Sequence, residues 1–126
     1  MADNPTAEDL IAMIERYQEA RLQPYQTTIR AVNPTFQDAR ACWFSADQLL
    51  KMLGIAKTAA QLKQEGTMTQ NLSGVRFYYA AEEDLKHTLV MVSTESTGEG
   101  DTDNDQDETL ENGGKLCPPN CNGAMH

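Results

Sequence analysis

The stretch GVRFYYAAEEDLKHTLVMVST, residues 74–94, decides the fold of this 126-residue chain. Two runs rich in β-branched and aromatic residues stand at its ends, and about five polar residues separate them, which is the spacing of a β-hairpin. Along the first run the side chains alternate, so that Val75 and Phe77 point to one face of a strand and Arg76 and Tyr78 to the other. The sequence therefore predicts an antiparallel hairpin over these residues.

A helix is predicted upstream of the hairpin, at residues 7–22. Thr6 and Asp9 form a capping pair at its start. Pro24 cannot donate a backbone hydrogen bond, so we expect the helix to end near Gln23. The apolar side chains recur with the spacing of a single helical stripe, at Leu10, Met13, Ile14 and Tyr17.

Two strand candidates and a helical pair fill the space between this helix and the hairpin. The strand candidates are TTIRAV (27–32) and DARACWF (38–44). Ser45 and Gln48 form a second capping pair, and the helix that they begin is followed by a further helical segment at residues 56–66. The predicted fold class is therefore α+β, with an N-terminal helix and a central helical pair packed on a small antiparallel sheet that ends in a C-terminal hairpin.

Charge divides the chain into a nearly neutral body and an acidic tail. Residues 1–94 hold eleven acids and nine bases, and the remaining residues hold eight acids and one base, in agreement with the net charge of −9. Residues 95–114 have one aliphatic side chain, too few to offset the entropy of ordering the backbone. The predicted organisation is a single α+β domain (1–94), a disordered, acidic, Gly-rich linker (95–114) and a Cys-Pro-Pro-Asn-Cys tail (115–126).

The composition argues against two classes of partner. A polyanionic tail repels nucleic-acid phosphates and anionic membrane surfaces. The opening residues MADNPTAEDL lack the features of a signal peptide, and no run approaches the ~18 apolar residues of a membrane span. We therefore expect a soluble, cytoplasmic protein that binds neither nucleic acid nor membranes, with all three cysteines as free thiols.

The tail segment LCPPNC (116–121) is typical of a shaped turn. Pro119 and Asn120 suit the two central positions of a β-turn, because proline presets φ and asparagine tolerates the second position. Leu116 and Pro118 then provide apolar contacts. The segment is predicted to dock on the body or on a partner.

The same tail also carries thiol chemistry as an alternative. Cys117, Cys121 and His126 offer three of the four ligands that a structural zinc site usually has. An extended chain would hold the two cysteine Cα atoms ~12 Å apart. A disulfide needs ~4.4–6.8 Å, which requires the turn to form. Zinc binding and reversible disulfide formation both stay open.

Two further groups of residues are candidates for a site. Arg76 and Tyr78 are expected on the exposed face of the sheet, where the ring can stack on the guanidinium, and they form a candidate contact patch. His87 follows the acidic turn that contains Glu82 and Asp84. A histidine oriented by a carboxylate can act as a general base. However, no nucleophile motif or nucleotide-binding loop accompanies it, so a catalytic function is not expected.

The quoted motifs together resemble a group of short bacterial proteins to which no activity is attached. The resemblance rests on CWFSADQLLKML (42–53), GVRFYYA (74–80), TLVMVST (88–94) and the LCPPNC tail. It departs from the group's pattern at Ser93, where the group has proline. The resemblance implies an α+β body with a cysteine-containing tail and implies no activity.

The sequence thus predicts a non-catalytic interaction or adaptor protein with a tethered C-terminal docking turn. Its partner is expected to be another protein of unknown identity, its oligomeric state is open, and no cofactor is expected. The alternative is a thiol-based zinc-binding or redox-responsive protein.

Overall fold

The computed structural model describes residues 6–68, 71–96, 103–114, 116–117 and 123–124. Helices and a four-stranded antiparallel sheet make up this part of the chain, which confirms the predicted α+β class. The strands are β1 (Ala41–Ser45), β2 (Leu72–Ala81), β3 (His87–Ser96) and β4 (Asp103–Asp105). They lie in the order β1-β2-β3-β4, and each pairs antiparallel with the next.

The helices of the described chain are short, except at its beginning, where three segments run on without a break. The helical elements are α1 (Ala7–Tyr17), a π-helical turn (Gln18–Leu22), α2 (Gln23–Arg30), α3 (Ala46–Met52), α4 (Ala59–Gln64) and a 3₁₀ turn (Asp107–Thr109). The backbone stays in the right-handed helical region at both junctions between α1 and α2. Within the described ranges, no helix combines the length and the apolar character needed to cross a membrane.

The predicted end of the first helix at Gln23 is wrong, because the chain absorbs Pro24 without a break. Pro24 lies in the first turn of α2. Just before it the helix widens, and the Gln23 N–H donates to the carbonyl oxygen of Gln18, five residues back. A π-helical turn of this kind shifts the backbone hydrogen bonds by one residue. The helix therefore continues although Pro24 has no N–H to donate.

The predicted strand at residues 27–32 is wrong for a related reason, since most of it belongs to α2. The Thr27 hydroxyl donates to the Gln23 carbonyl oxygen at 2.9 Å, and the Thr28 hydroxyl donates to the Pro24 carbonyl oxygen at 3.1 Å. These bonds serve carbonyls one turn back, so two residues of low helix propensity support the helix. The second strand candidate is confirmed as β1, although β1 begins and ends later than predicted.

Reciprocal side-chain caps begin three of the helices. In each, the cap side chain accepts from the third helical N–H and the third side chain accepts from the cap N–H, in the pairs Thr6–Asp9, Ser45–Gln48 and Thr58–Gln61. The first two confirm predicted pairs, and the third adds the start of α4. Such a cap stabilises a helix by about 1 kcal/mol.

The hairpin is confirmed, and one of its faces carries the core. Residues that lie opposite each other in antiparallel strands share a face. Leu10 and Ile14 of α1 pack against Ala80 and Val90 on that face, and we call it the covered face. Burial of an aliphatic side chain of this size contributes ~1.5–3 kcal/mol, so this contact fixes the helix on the sheet.

Part of the acidic segment is docked, which differs from the predicted linker. Thr94 of β3 pairs with Asp105 of β4, and Met91 and Glu111 exchange two backbone hydrogen bonds of 2.9 Å. Leu110 packs against the core. For residues 103–112 the expected disorder is therefore corrected to a short strand and a bridge, and residues 97–102 lie outside the described part.

Candidate interaction surface

The face of the sheet opposite the covered face is the candidate site. We call it the open face and define it by six side chains at alternate positions of β1, β2 and β3. These are Cys42, Phe44, Phe77, Tyr79, Leu89 and Met91. Cys42 lies opposite Phe77, which lies opposite Met91, and Tyr79 lies opposite Leu89. None of these six side chains is charged, but Glu111 lies opposite Met91, and Glu95 lies on the same side of β3. The open face is thus an apolar patch across β1, β2 and β3 with carboxylates at its border.

Solvent reaches much of the open face. Phe44 is 40% exposed, Tyr79 37%, Leu89 47% and Met91 43%, whereas Val90 on the covered face is 0% exposed. With ~150–250 Å² per large side chain, these four expose roughly 300–400 Å² together. The largest apolar patch on a typical monomeric protein is about this size and is often a binding site.

A groove of about 460 Å³ borders the open face at the hairpin end. Tyr79 and Leu89 belong to both. The other walls come from the helix, the hairpin and the C-terminal segment: Tyr17, His87, Thr88, Gly114 and Leu116. The ring centroid of Tyr17 lies 5.8 Å from that of Tyr79 and 5.9 Å from that of His87, so the aromatic walls touch. The predicted docking residue Leu116 therefore lies beside the body.

The Tyr17 hydroxyl stays protonated at this groove. Burial raises the pKa of Tyr17, the charge of Asp38 and the neighbouring Tyr79 raise it further, and Arg21 opposes them. A protonated phenol is a hydrogen-bond donor. The groove thus combines apolar walls with a neutral donor.

Arg76 and Tyr78 lie on the covered face, and the predicted exposed placement is wrong. Each lies opposite a buried valine of β3, and both reach across that strand to Asp105 of β4. Arg76 forms an ion pair with the Asp105 carboxylate and also donates to the Asp103 carbonyl oxygen at 3.2 Å. The Tyr78 hydroxyl donates to the same carboxylate. The two side chains therefore hold the acidic segment on the sheet.

The cluster around Tyr78 is partly desolvated, and this changes the pKa of its hydroxyl. Burial raises the pKa of Tyr78 to about 12, together with the hydrogen bond to Asp105 and the negative charge of that carboxylate. Arg76 acts in the opposite direction. The Arg76 and Asp105 side chains are 24% and 23% exposed.

The cysteines differ in state, and the expected set of free thiols is wrong in one position. Cys42 is a free, exposed thiol, but Cys117 is disulfide-bonded. A disulfide sulfur is not the thiolate that zinc requires, so this form does not fit the zinc alternative. The other residues predicted for the docking turn or for the thiol site lie outside the described residues: Pro118, Pro119, Asn120, Cys121 and His126.

No metal or catalytic cluster emerges in the described part of the chain. It contains no group of three histidine, cysteine, aspartate or glutamate side chains that could hold a metal ion. His87 lines the groove, but the described groove walls include no carboxylate that could orient it as a base. The acidic residues beside it in sequence, Glu82 and Asp84, are not among these walls.

Sequence reasoning missed the open face, although β3 carries a signal for it. Residues 89–92 read Leu-Val-Met-Val, which is an apolar run without alternation. Such a run is typical of a strand buried on both faces. In this structure only the even-numbered positions are buried, and Leu89 and Met91 are exposed.

Compared with known proteins, the chain matches no family model, no curated protein and no solved structure. The resemblance to a bacterial group stays a prediction.

Proposed function

We propose that this protein is a non-catalytic interaction module that binds another protein through the open face. The observation that supports it is the exposure of four large apolar side chains on one sheet face, while α1 packs on the other. A protein partner is favoured over nucleic acid because the net charge of −9 repels phosphates.

Leu89→Glu tests the proposal, and Leu53→Glu is its matched control. Both change an exposed leucine to glutamate, but Leu89 lies on the open face and Leu53, which is 75% exposed, follows α3. Tagged full-length protein is used to capture partners from extracts of its own cells. We expect Leu89→Glu to lose the partner and Leu53→Glu to keep it. An unchanged set of captured proteins in Leu89→Glu would refute the proposal.

The C-terminal segment is proposed to add a tethered docking element to this surface. Leu116 lies half-buried at the groove, and a tether raises the local concentration of such an element at a bound partner. Leu116→Ser removes the apolar contact and leaves the chain length unchanged. We expect this variant to bind the partner more weakly through faster dissociation, measured by surface plasmon resonance. Unchanged association and dissociation rates would show that Leu116 does not contribute to binding.

A redox-responsive function is the second candidate, and the disulfide at Cys117 favours it over zinc binding.

The state of Cys117 in cells tests the proposed cytoplasmic location, because cytosolic reductants keep most thiols reduced. Rapid acid quenching, alkylation and intact mass determine the state in cells. Three alkylated cysteines would indicate a reduced protein in the cytoplasm. A single alkylated cysteine, Cys42, would indicate a stable disulfide and contradict the location.

A further inference from the structure

We infer that Asn112 is a site of spontaneous modification, at which the backbone nitrogen of Gly113 attacks the side-chain amide and the asparagine becomes aspartate or isoaspartate. The inference does not depend on the proposed function, because it concerns the chemistry of this chain alone. It rests on the residue that follows Asn112, on the contact between the two residues and on the place of Asn112 at the end of the docked acidic segment (103–112).

Glycine follows Asn112 directly, and glycine leaves the attacking nitrogen unhindered. It has no β-carbon, so the backbone can approach other groups closely and can adopt conformations that other residues avoid. Gly113 has a φ of +122°, and a β-carbon built on it would meet nothing within 4 Å. The space around the reacting amide is therefore open.

The two reacting groups lie side by side in the structure. The Gly113 N–H donates to the Asn112 Oδ1 atom at 2.6 Å. Since a carbonyl bond is ~1.23 Å long, the nitrogen lies within ~3.8 Å of the Cγ atom that it would attack. This is close to the ~3–3.5 Å of a near-attack arrangement. Asn112 is half-buried and Gly113 is exposed, so water reaches the pair.

The reaction needs water and no other reagent. The Gly113 nitrogen forms a bond to Cγ of Asn112 and gives up its proton, and the bond from Cγ to Nδ2 breaks. The Nδ2 group takes up a proton and leaves as ammonia, so that a succinimide ring remains. Water that breaks the new bond gives aspartate. Water that breaks the original peptide bond gives isoaspartate, in which the main chain runs through the side-chain carbons.

Both products alter the contacts at the end of the docked segment. The Asn112 Nδ2 group donates to the Met13 Sδ atom at 3.6 Å, and a carboxylate has no proton for this bond. The neighbouring Glu111 exchanges two backbone hydrogen bonds of 2.9 Å with Met91 of β3. Isoaspartate also adds one carbon to the main chain directly after Glu111. Conversion of Asn112 is therefore expected to loosen the bridge between the acidic segment and β3.

Ageing of the full-length protein at mildly alkaline pH tests the site, because base removes the proton from the Gly113 nitrogen. Tandem mass spectrometry of its peptides detects the replacement of the amide nitrogen by oxygen and separates Asn112 from the other Asn-Gly pair, at residues 122–123. We expect Asn112 to convert about as fast as in a free peptide of residues 107–114. Conversion slower than in the peptide by roughly tenfold or more would overturn the inference, because the fold would then protect the site.

Asn104 is the internal control for this measurement. It is exposed and belongs to the same acidic segment, but Asp105 follows it and its backbone is paired with Glu95 of β3. The extended strand keeps its side chain from a near-attack arrangement, so we expect Asn104 to convert more slowly than Asn112 by roughly tenfold or more. Equal rates at both asparagines would show that the contact with Gly113 has no effect and would contradict the inference.

Hydrogen exchange of the Met91 amide, which donates to the Glu111 carbonyl oxygen, tests the effect on the docked segment. In aged protein that contains isoaspartate we expect this amide to exchange faster by roughly tenfold or more, because the bridge opens more often. The matched control is Asn112→Gln aged in the same way, since its longer side chain does not form the succinimide and Met91 should stay protected. Equal exchange in the two proteins would show that the modification does not loosen the segment.

Discussion

Asp105 shows how a single carboxylate can order an acidic segment. It accepts from the Arg76 guanidinium and from the Tyr78 hydroxyl, both of which come from β2 across an intervening strand. These charge-assisted bonds are stronger than neutral ones, particularly in a partly desolvated site. Asp103 beside it contributes only its carbonyl oxygen to Arg76. One of several similar acids in the sequence therefore has a distinct structural role.

Asp105→Ala is expected to lower the free energy of unfolding by about 1–3 kcal/mol, because it leaves the half-buried guanidinium and phenol without their acceptor. Asp103→Ala removes the same charge from the same strand and is the control, with an expected change of less than about 0.5 kcal/mol. Urea unfolding followed by circular dichroism measures both. Equal losses would show that only the net charge matters.

Tyr78 gives the protein a specific response to alkaline pH. Its folded-state pKa of about 12 lies above the ordinary value of 10.0, so its contribution to stability is complete below pH 10.0 and is lost as the pH rises through about 12. We expect the stability difference between the original protein and Tyr78→Phe to shrink over this window. Absorbance titration of tyrosinate should show the corresponding late-titrating group disappear in Tyr78→Phe. A normal titration of all tyrosines would contradict this expectation.

At the residue scale, the sequence singled out Arg76 and Tyr78 but predicted them on the wrong face of the sheet. The alternation that sorts Arg76 and Tyr78 onto one face of a strand was correct, but alternation does not say which face a helix will cover. Their partner lies 29 and 27 residues further along the chain, among aspartates with the same local pattern. Only the register of β4 against β3 singles out Asp105.

Among the elements, the join between β1 and β2 depends on the absence of a side chain at Gly74. The pairing of β2 with β3 shifts between Leu72 and Gly74, and Gly74 lies opposite Ser45 of β1. Glycine commonly marks places where a bulge or a neighbouring backbone approaches closely. The indole of Trp43 covers this point and donates to the Thr94 hydroxyl oxygen at 2.9 Å. The close approach is thus tied to the core strand β3.

Gly74→Ala is expected to destabilise the protein by about 1–3 kcal/mol through overpacking. A β-carbon there would come within 2.8 Å of the Trp43 ring and closer still to the Phe44 carbonyl oxygen, which is backbone and cannot rotate away. Gly114→Ala is the matched control, since a β-carbon at that position meets nothing within 4 Å. Thermal unfolding compares the two. A Gly74→Ala variant as stable as the control would show that the strands can separate without cost.

Helices and strands that have a local sequence signal could be predicted, whereas those that depend on several residues acting together could not. Capping pairs and the hairpin are local signals, and the structure confirms those that were predicted. The helix through Pro24 was missed because proline and two threonines each disfavour a helix alone, and their compensation by a π-helical turn and by hydroxyl bonds depends on all of them together. The strand β4 was missed because three polar residues have no strand signal of their own.

Across the whole molecule, the fold extends beyond the domain that the sequence predicted at 1–94. The pairs of β4 with β3, the bridge between Met91 and Glu111 and the packing of Leu110 all join later residues to the sheet. The open face could not be assigned from the sequence, because Leu89 and Met91 are as apolar as Val90 and Val92 between and beside them. Which set is left uncovered depends on where α1 packs.

Two truncated chains test whether the acidic segment belongs to the fold. A chain that ends at Ser96 is expected to lose about 1–3 kcal/mol of stability, because the partly buried Leu110 no longer packs on the core and Arg76 loses its counter-ion. A chain that ends at Gly114 keeps both contacts and should unfold close to the full-length protein. Chemical denaturation of the three chains measures this. If the chain that ends at Ser96 is as stable as the other two, the acidic segment does not belong to the fold.

The two outer edges of the sheet differ in a way that bears on fibre growth. The edge formed by β4 is three residues long and carries Asp103 and Asp105, so the same edge of another molecule is repelled and finds little backbone to pair with. The edge formed by β1 is five residues long and largely apolar. Continuous stacking of sheets into a filament needs two adhesive edges on every molecule. A molecule with one adhesive edge ends any such edge-to-edge chain at its second member, so growth of the sheet by edge pairing should stop at two molecules.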